Sequence, residues 1–153
     1  MKFVFDASAL LNIIRFLGPD AFEYLKENYI LTLTLYEVGN ALWKEAMLLN
    51  RISVSEALSL LDMVARTCRV LNIIAPRNAS LALKLACELK LTYYDSSYVI
   101  TAYELNAELV TDDDKLRRRI SKGRDLLVKV LGGEVVLRST RELIGMKKAG
   151  AKG

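Results

Sequence analysis

Short apolar runs alternate with helix-like segments along almost the whole chain, and this alternation constrains the fold more than any other feature of the sequence. The runs lie at residues 2–5, 29–33, 70–74, 108–111 and 134–137. Between them, apolar residues recur at helical spacing, and Gly or Pro marks several of the breaks. Strands that alternate with helices predict an α/β fold with a mainly parallel central sheet flanked by helices.

The length of the chain favours a single domain. Its 153 residues suffice for one sizeable hydrophobic core, and the sequence shows neither an internal repeat nor an interdomain linker. We expect the domain to occupy residues 1–145. Residues 146–153 are rich in Lys, Gly and Ala, and we expect them to form a basic, flexible tail.

Composition predicts a cytoplasmic protein. The hydrophobic fraction is high, at 52%, but the sequence contains no uninterrupted apolar run of ~18 residues that could cross a membrane. Asp6 interrupts the apolar start of the chain, so we do not expect a signal peptide. The excess of apolar side chains predicts a surface that a partner protein covers. The formal charge of +4 permits binding to nucleic acid but does not require it.

The chain contains no histidine, which removes several classes of enzyme. A Ser-His-Asp triad, a Cys-His pair and a histidine acid–base couple are all excluded. Any catalysis must therefore depend on carboxylates, lysine, tyrosine, hydroxyl groups or metal ions.

Four acidic residues stand where a parallel sheet would bring them together. Asp6 directly follows the first predicted strand, and Asp113 follows the fourth within a few residues. Glu37 and Asp95 each lie in the first turn of a predicted helix. Ligands of such sheets bind at the carboxyl ends of the strands, so all four side chains are predicted to reach one edge.

Each acid also has a purely structural explanation. Glu37 could complete a capping box with Thr34, and Asp95 could cap its own helix. The run of aspartates at 112–114 could be the solvated first turn of a helix. Asp6 is the hardest to explain in this way, because a carboxylate at the end of an apolar strand is costly to bury without a partner.

Taken together, the acids predict a site for a hard cation. Mg²⁺ and Mn²⁺ prefer oxygen ligands, and clustered carboxylates repel one another unless a cation neutralises them. Such an ion can activate water and bind a scissile phosphate, so phosphodiester hydrolysis needs no histidine.

Four segments resemble, in order, the signatures of the PIN-domain ribonuclease family. They are FDASALL, TLYEVGNALWK, YYDSSYVITA and LVTDDDKL, which together span most of residues 2–120. The resemblance implies a small α/β nuclease with an acidic pocket that uses Mg²⁺ or Mn²⁺ to hydrolyse RNA. The acids that it implies as catalytic residues and metal ligands are Asp6, Glu37, Asp95 and Asp113. The supporting positions that it implies are Ser8, which orients the first acid, Asn40, Thr111 and Tyr98.

Asp112 and Asp114 remain rivals of Asp113, because a shift of one residue would change which side chain faces the pocket. The basic residues that follow could steer an RNA backbone, or they could simply form the solvated face of a helix. They are Lys115, Arg117, Arg118, Arg119, Lys122 and Arg124.

The small size of the chain resembles the toxin branch of the family, in which a small antitoxin protein blocks the active site. The leucine-rich helix expected at residues 54–65 would pack in the core, or it would bind the antitoxin or a second copy in a homodimer. A non-catalytic PIN-fold module that binds RNA or protein and a housekeeping PIN nuclease are the alternatives. A phosphatase with an Asp-x-Asp motif is disfavoured because Ser8 occupies the second position, and a DNA-directed nuclease remains open.

Overall fold

The computed structural model describes residues 1–150 as an α/β fold. The strands are β1 (Phe3–Phe5), β2 (Tyr29–Leu31), β3 (Asn72–Ile74), β4 (Glu108–Val110) and β5 (Leu137–Arg138). The helices are α1 (Ala7–Leu17), α2 (Phe22–Leu25), α3 (Thr34–Trp43), α4 (Val54–Thr67), α5 (Ala79–Leu89), α6 (Tyr93–Leu105), α7 (Asp114–Lys122), α8 (Arg124–Leu131) and α9 (Thr140–Gly150). Short 3₁₀ turns at Gly18–Ala21 and Cys68–Val70, and a π-helical turn at Lys44–Leu48, complete the regular elements of the described part.

The central sheet has the strand order β3-β2-β1-β4-β5, and its strands all pair in parallel. From β1 the chain moves outward through β2 and β3, and it then returns to form β4 and β5 on the other side. Strand order therefore reverses between β1 and β4, where Phe5 pairs with Val110. In parallel sheets, the carboxyl ends of the strands at such a reversal frame the ligand-binding crevice. The predicted fold class is confirmed.

Hydrophobic clusters pack on both faces of the sheet. Successive side chains of a strand point to opposite faces. In β1, Phe3 and Phe5 therefore join the cluster formed with α1, α3 and α4, whereas Val4 joins the cluster formed with α5, α6, α7 and α8. The sheet is thus covered by helices on both sides, which explains why its strands are almost wholly apolar.

Several element boundaries differ from the predicted ones. The third strand was expected from residue 70 but begins at Asn72, because Cys68–Val70 forms a 3₁₀ turn after α4. The helix predicted to carry Glu37 in its first turn begins at Thr34, and its α-helical part ends at Trp43, where the π-helical turn begins.

The last helix of the structure crosses the predicted boundary between the domain and its tail. Helix α9 runs to Gly150, so residues 146–150 of the expected tail are helical, and residues 151–153 lie outside the described part. Buried Leu143 anchors the helix, and the Lys147 amine lies 4.4 Å from the centre of the Tyr24 ring. The prediction that the domain ends at 145 stays a prediction, although α9 continues across that position. Among the helices of residues 1–150, none is both long and apolar enough to cross a membrane.

Candidate active site

A cavity of ≈ 400 Å³ opens at the carboxyl ends of the strands, beside the reversal of strand order. The four predicted acids line it, together with three of the predicted supporting residues. These residues are Asp6, Glu37, Asp95, Asp113, Ser8, Asn40 and Tyr98. The structure therefore brings together side chains that are up to 107 positions apart in the sequence (6 to 113).

Asp6 lies at the junction of β1 and α1, and only 6% of it is exposed. It caps α1, since its Oδ1 accepts hydrogen bonds from the Ala9 amide (2.8 Å) and the Ser8 hydroxyl (2.7 Å). Burial raises the pKa of the Asp6 carboxyl to about 6, and the charge of Glu37 adds to the rise. Hydrogen bonds from Thr111, Ala9 and Ser8 oppose this rise. The buried carboxylate is thus held in one orientation by its neighbours.

Glu37 lies in the first turn of α3 and does not take part in a capping box. Thr34 is fully buried inside the helix, and its hydroxyl accepts a hydrogen bond from the Leu31 amide (3.0 Å). The cap residue of α3 is Leu33, which makes no side-chain capping bond. The capping box that could have explained Glu37 is therefore ruled out, and the Glu37 carboxylate faces the cavity instead.

Tyr98 of α6 holds that carboxylate in place. Its hydroxyl donates to Oε1 of Glu37 (2.6 Å) and lies 2.8 Å from the Thr34 hydroxyl. Since the phenolic proton goes to Glu37, Thr34 is the donor in its contact with Tyr98. Burial and the charge of Glu37 raise the pKa of the Tyr98 phenol, so it remains a proton donor. Burial also raises the pKa of Glu37, against the hydrogen bond from Tyr98.

Asp95 lies in the first turn of α6, but it is not the cap of that helix. Thr92 is the cap, and its hydroxyl accepts a hydrogen bond from the Asp95 amide (3.0 Å). The Asp95 carboxylate can therefore face the cavity. Burial raises its pKa, the charge of Asp113 raises it further, and the charge of Lys115 lowers it.

The three aspartates that follow β4 point in different directions. Asp113 lines the cavity and caps α7, since its Oδ1 accepts from the amides of Lys115 (2.8 Å) and Leu116 (3.0 Å). Asp114 is the first residue of α7 and is exposed. The geometry thus agrees with the choice of Asp113 over Asp114.

Asp112 connects the segment after β4 to α1 and to the start of α9. Its carboxylate accepts hydrogen bonds from the Asn12 side chain (2.8 Å), the Thr140 hydroxyl (2.6 Å) and the Thr140 amide (2.9 Å). Its own amide donates to the Ser8 hydroxyl (3.0 Å). Asp112 is therefore neither a solvated residue nor a side chain of the cavity. It joins α1 to the start of α9 and positions Ser8 beside Asp6.

Thr111 and Asn40, the other supporting residues, occupy different positions. Thr111 is fully buried behind Asp6, and its hydroxyl accepts from the Asp113 amide (3.1 Å). Asn40 lies one helical turn after Glu37 and lines the cavity itself. Thr111 can thus orient two acids at once, whereas Asn40 can contact a ligand.

Known proteins are similar to this chain in both sequence and fold. Residues 3–121 match the family model described as PIN domain. The chain belongs to the PIN domain family. The predicted resemblance is thereby confirmed.

A relative of this PIN domain is exonuclease VapC9 of Pyrobaculum aerophilum. The two are 35% identical over 116 residues, which cover 76% of this chain and 84% of VapC9. The crystal structure of PAE2754 from Pyrobaculum aerophilum is similar with a TM-score of 0.65 at 32% identity, and the match covers 87% of this chain and 91% of that chain. The structure of VapBC-1 from nontypeable Haemophilus influenzae has a TM-score of 0.55 at 15% identity, with 92% and 99% coverage, and that likeness concerns the fold alone.

The carboxylates of this PIN domain share one cavity without forming a ready-made metal cage. Within residues 1–150, no three acidic or cysteine side chains converge closely enough to hold an ion as they stand. Each carboxylate nevertheless feels the charge of the next one along the cavity. The charge of Glu37 raises the pKa of Asp6, the charge of Asp95 raises the pKa of Glu37, and the charge of Asp113 raises the pKa of Asp95. A cation would relieve this repulsion, and the all-oxygen donor set fits Mg²⁺ or Mn²⁺.

Two cationic residues at the cavity wall were not predicted from the sequence. Arg15 and Lys44 both line it, and Arg15 makes two hydrogen bonds to Glu45, of 3.1 and 2.7 Å. Their spacing along the helices would have indicated their position. Arg15 lies two turns after Ser8 on α1, and Lys44 lies two turns after Glu37, so each shares a helix face with a predicted site residue.

Proposed function

We propose that this PIN domain is a metal-dependent endoribonuclease that hydrolyses phosphodiester bonds of RNA. The observation that carries the proposal is the convergence of four carboxylates on one cavity at the reversal of strand order. They are Asp6, Glu37, Asp95 and Asp113. In a fold without histidine, this set suits chemistry that depends on a divalent cation.

These four carboxylates would hold Mg²⁺ or Mn²⁺. When bound, such an ion would activate water and neutralise phosphate charge. The protein holds the ligands in place: Ser8 orients Asp6, Tyr98 orients Glu37, and Thr111 supports both Asp6 and Asp113. Asn40 faces the cavity and would bind the substrate or a bridging water. Such supporting hydrogen bonds commonly change metal affinity or activity by about 10- to 100-fold when they are removed.

The test is cleavage by the purified protein with Mg²⁺ or Mn²⁺, compared with the same reaction in EDTA. We expect Asp95→Asn to lower the rate by orders of magnitude while the fold is retained. Asp114→Asn is the matched control, because it makes the same chemical change at an exposed aspartate outside the cavity. Equal rates for the unaltered protein and Asp95→Asn would contradict the proposed site.

The mode of cleavage needs its own substrates, because the relative VapC9 is named an exonuclease. A circular RNA has no ends, so its cleavage would demonstrate endonuclease activity. Cleavage of the linear form alone would favour an exonuclease. A DNA of the same sequence tests the preference for ribose, and we expect it to be cut more slowly.

An apolar groove on a different face of α3 from the cavity supports the proposal that the enzyme is a toxin restrained by a small antitoxin. The groove has a volume of ≈ 290 Å³ and lies between α3 and α4. Its walls include Trp43, Met47 and Leu58, which are 52%, 56% and 63% exposed. Contiguous exposed apolar surface of this kind is typical of protein-binding sites. The core packing expected for the leucines of residues 54–65 thus accounts for only part of α4.

Expression of the protein alone should slow bacterial growth, and co-expression with the adjacent small reading frame should relieve the effect. Asp95→Asn should be harmless in the same assay. Harmless expression of an active enzyme would favour the housekeeping nuclease. We also propose that the protein is cytoplasmic and that it forms a homodimer. Light scattering of the purified protein tests the homodimer directly.

A further inference from the structure

The structure separates the basic residues of α7 into two groups. Lys115 and Arg119 lie one turn apart and line a small second cleft. Arg117 lies on another side of the helix, where it is paired with Glu142 (3.3 Å). Arg124, just beyond α7, is paired with Glu134 (2.6 Å). The sequence presents these cations as one run, but only part of that run faces the active site.

The second cleft is a continuation of the acidic cavity. Asp95 and Asp113 line both, so the two spaces meet at these carboxylates. The cleft has a volume of ≈ 40 Å³, which is too small for a nucleobase. The contact that it can offer a nucleic acid is therefore to the sugar–phosphate backbone.

Lys90, at the end of α5, is a third basic residue that lines this cleft. It adopts the left-handed conformation (φ 53°, ψ 41°), in which a helix usually ends on glycine or asparagine. A lysine there costs about 1 kcal/mol or more. Its carbonyl accepts a hydrogen bond from the Arg119 guanidinium (2.6 Å), which holds the end of α5 against α7. The fold thus keeps a strained lysine at the wall of the cleft.

We propose that Lys90, Lys115 and Arg119 bind the RNA phosphate next to the scissile one. This inference rests on the proposed ribonuclease function. A polyanion that approaches four carboxylates is repelled, and a cation at the metal site can offset that repulsion only locally. Lysine and arginine beside the acids would hold the neighbouring phosphate and set the direction in which the strand leaves the cavity.

The test compares two double variants with the same change in net charge. Lys90→Gln/Lys115→Gln removes two ammonium groups from the cleft. Arg118→Gln/Lys122→Gln removes two cations from exposed positions of α7 outside it. Binding of a fluorescent single-stranded RNA of about 12 nucleotides is followed by anisotropy in EDTA. The salt concentration is varied from about 50 to about 200 mM, so that the number of phosphate contacts can be obtained from the slope.

We expect the cleft variant to bind RNA about tenfold more weakly, with a salt slope smaller by about 0.7, which corresponds to the loss of one phosphate contact on a single strand. The control variant should bind within about twofold of the unaltered protein. Circular dichroism and the melting temperature establish that both variants are folded.

Equal losses in the two variants would mean diffuse attraction and would overturn the cleft. RNA cleavage by the unaltered protein, together with undiminished binding by the cleft variant, would also overturn the cleft but leave the proposed function standing. An unaltered protein that neither binds nor cleaves RNA would contradict both.

Discussion

The Tyr98 hydroxyl donates a 2.6 Å hydrogen bond to Oε1 of Glu37, and it is itself hydrogen-bonded to the buried Thr34 hydroxyl. Thr34 and Glu37 lie on α3, which follows β2, and Tyr98 lies on α6, which packs on β1 and β4. The chain of hydrogen bonds therefore connects the interior of the protein to a carboxylate of the cavity. Because Tyr98 is 1% exposed, its position is determined by the packing of α6 on the sheet.

We expect Tyr98→Phe to weaken metal binding more than it weakens the fold. Phenylalanine fills the same space but cannot donate to Glu37, so the pKa of Glu37 should rise further and the carboxylate should lose its orientation. Loss of a supporting bond of this kind reduces metal affinity by about 10- to 100-fold. Mn²⁺ titration by calorimetry measures the effect.

Tyr103→Phe is the matched control for this change. Tyr103 lies on the same helix, and its hydroxyl donates to the Leu131 carbonyl (2.5 Å), away from the cavity. Its loss should cost about 1 kcal/mol of stability and leave Mn²⁺ affinity unchanged. Similar Mn²⁺ affinities for both variants would show that the bond to Glu37 does not position a ligand.

A second prediction concerns the pH dependence of the metal-free protein. The pKa of Asp6 is raised from 3.8 to about 6 in the folded state, so folding favours the protonated carboxyl. The resulting stability is fully present below the unfolded pKa and is lost as the pH rises through about 6. A shift of about two pKa units corresponds to about 3 kcal/mol. Unfolding by urea in EDTA should therefore show lower stability at about pH 7.5 than at about pH 4.5.

Asp6→Asn should remove most of this pH dependence. Asparagine can still accept the hydrogen bonds from the Ala9 amide and the Ser8 hydroxyl, but it does not ionise. Glu37 and Asp95 also have raised pKa values, so a smaller dependence of the same sign should remain. Asp62→Asn, on the exposed face of α4, is the control and should follow the unaltered protein. A steep dependence that survives Asp6→Asn would contradict the assignment to Asp6.

The sequence was sufficient to predict where the acids meet, because the alternation of strands with helices implied a parallel sheet and the strand ends placed Asp6 and Asp113. Glu37 and Asp95 could be placed as well, since the first turn of a helix after a strand lies at that same edge. These inferences depend on local patterns, and a parallel sheet converts local position into spatial proximity.

Other features could not be predicted, because they depend on contacts between distant segments. Thr34 resembles a helix cap in the sequence. In the folded chain, however, its hydroxyl is hydrogen-bonded to the Leu31 amide and the Tyr98 hydroxyl, because α6 packs against α3. Asp112 resembles its two neighbours, but only the folded chain brings Asn12 and Thr140 to it. The sequence contains the residue types, and tertiary packing decides which side chains line the cavity and which hold distant segments together.

A third prediction separates the consecutive aspartates by their roles. Asp113→Asn should raise the melting temperature of the metal-free protein, because it removes a charge that repels Asp95 while asparagine still caps α7. The same change should reduce the additional stabilisation by Mn²⁺, since a ligand is lost. Melting curves with and without Mn²⁺ measure both effects.

The neighbouring aspartates complete the comparison. Asp112→Asn should lower stability by about 1 to 3 kcal/mol in either condition, because its amide group would face the donors of Asn12 and Thr140. Asp114→Asn is exposed and should change the stability by less than about 1 kcal/mol, from its interaction with the helix dipole. Only Asp113→Asn should combine greater stability without metal and a smaller response to Mn²⁺. If Asp112→Asn or Asp114→Asn showed that combination instead, the fourth acid of the site would have to be reassigned.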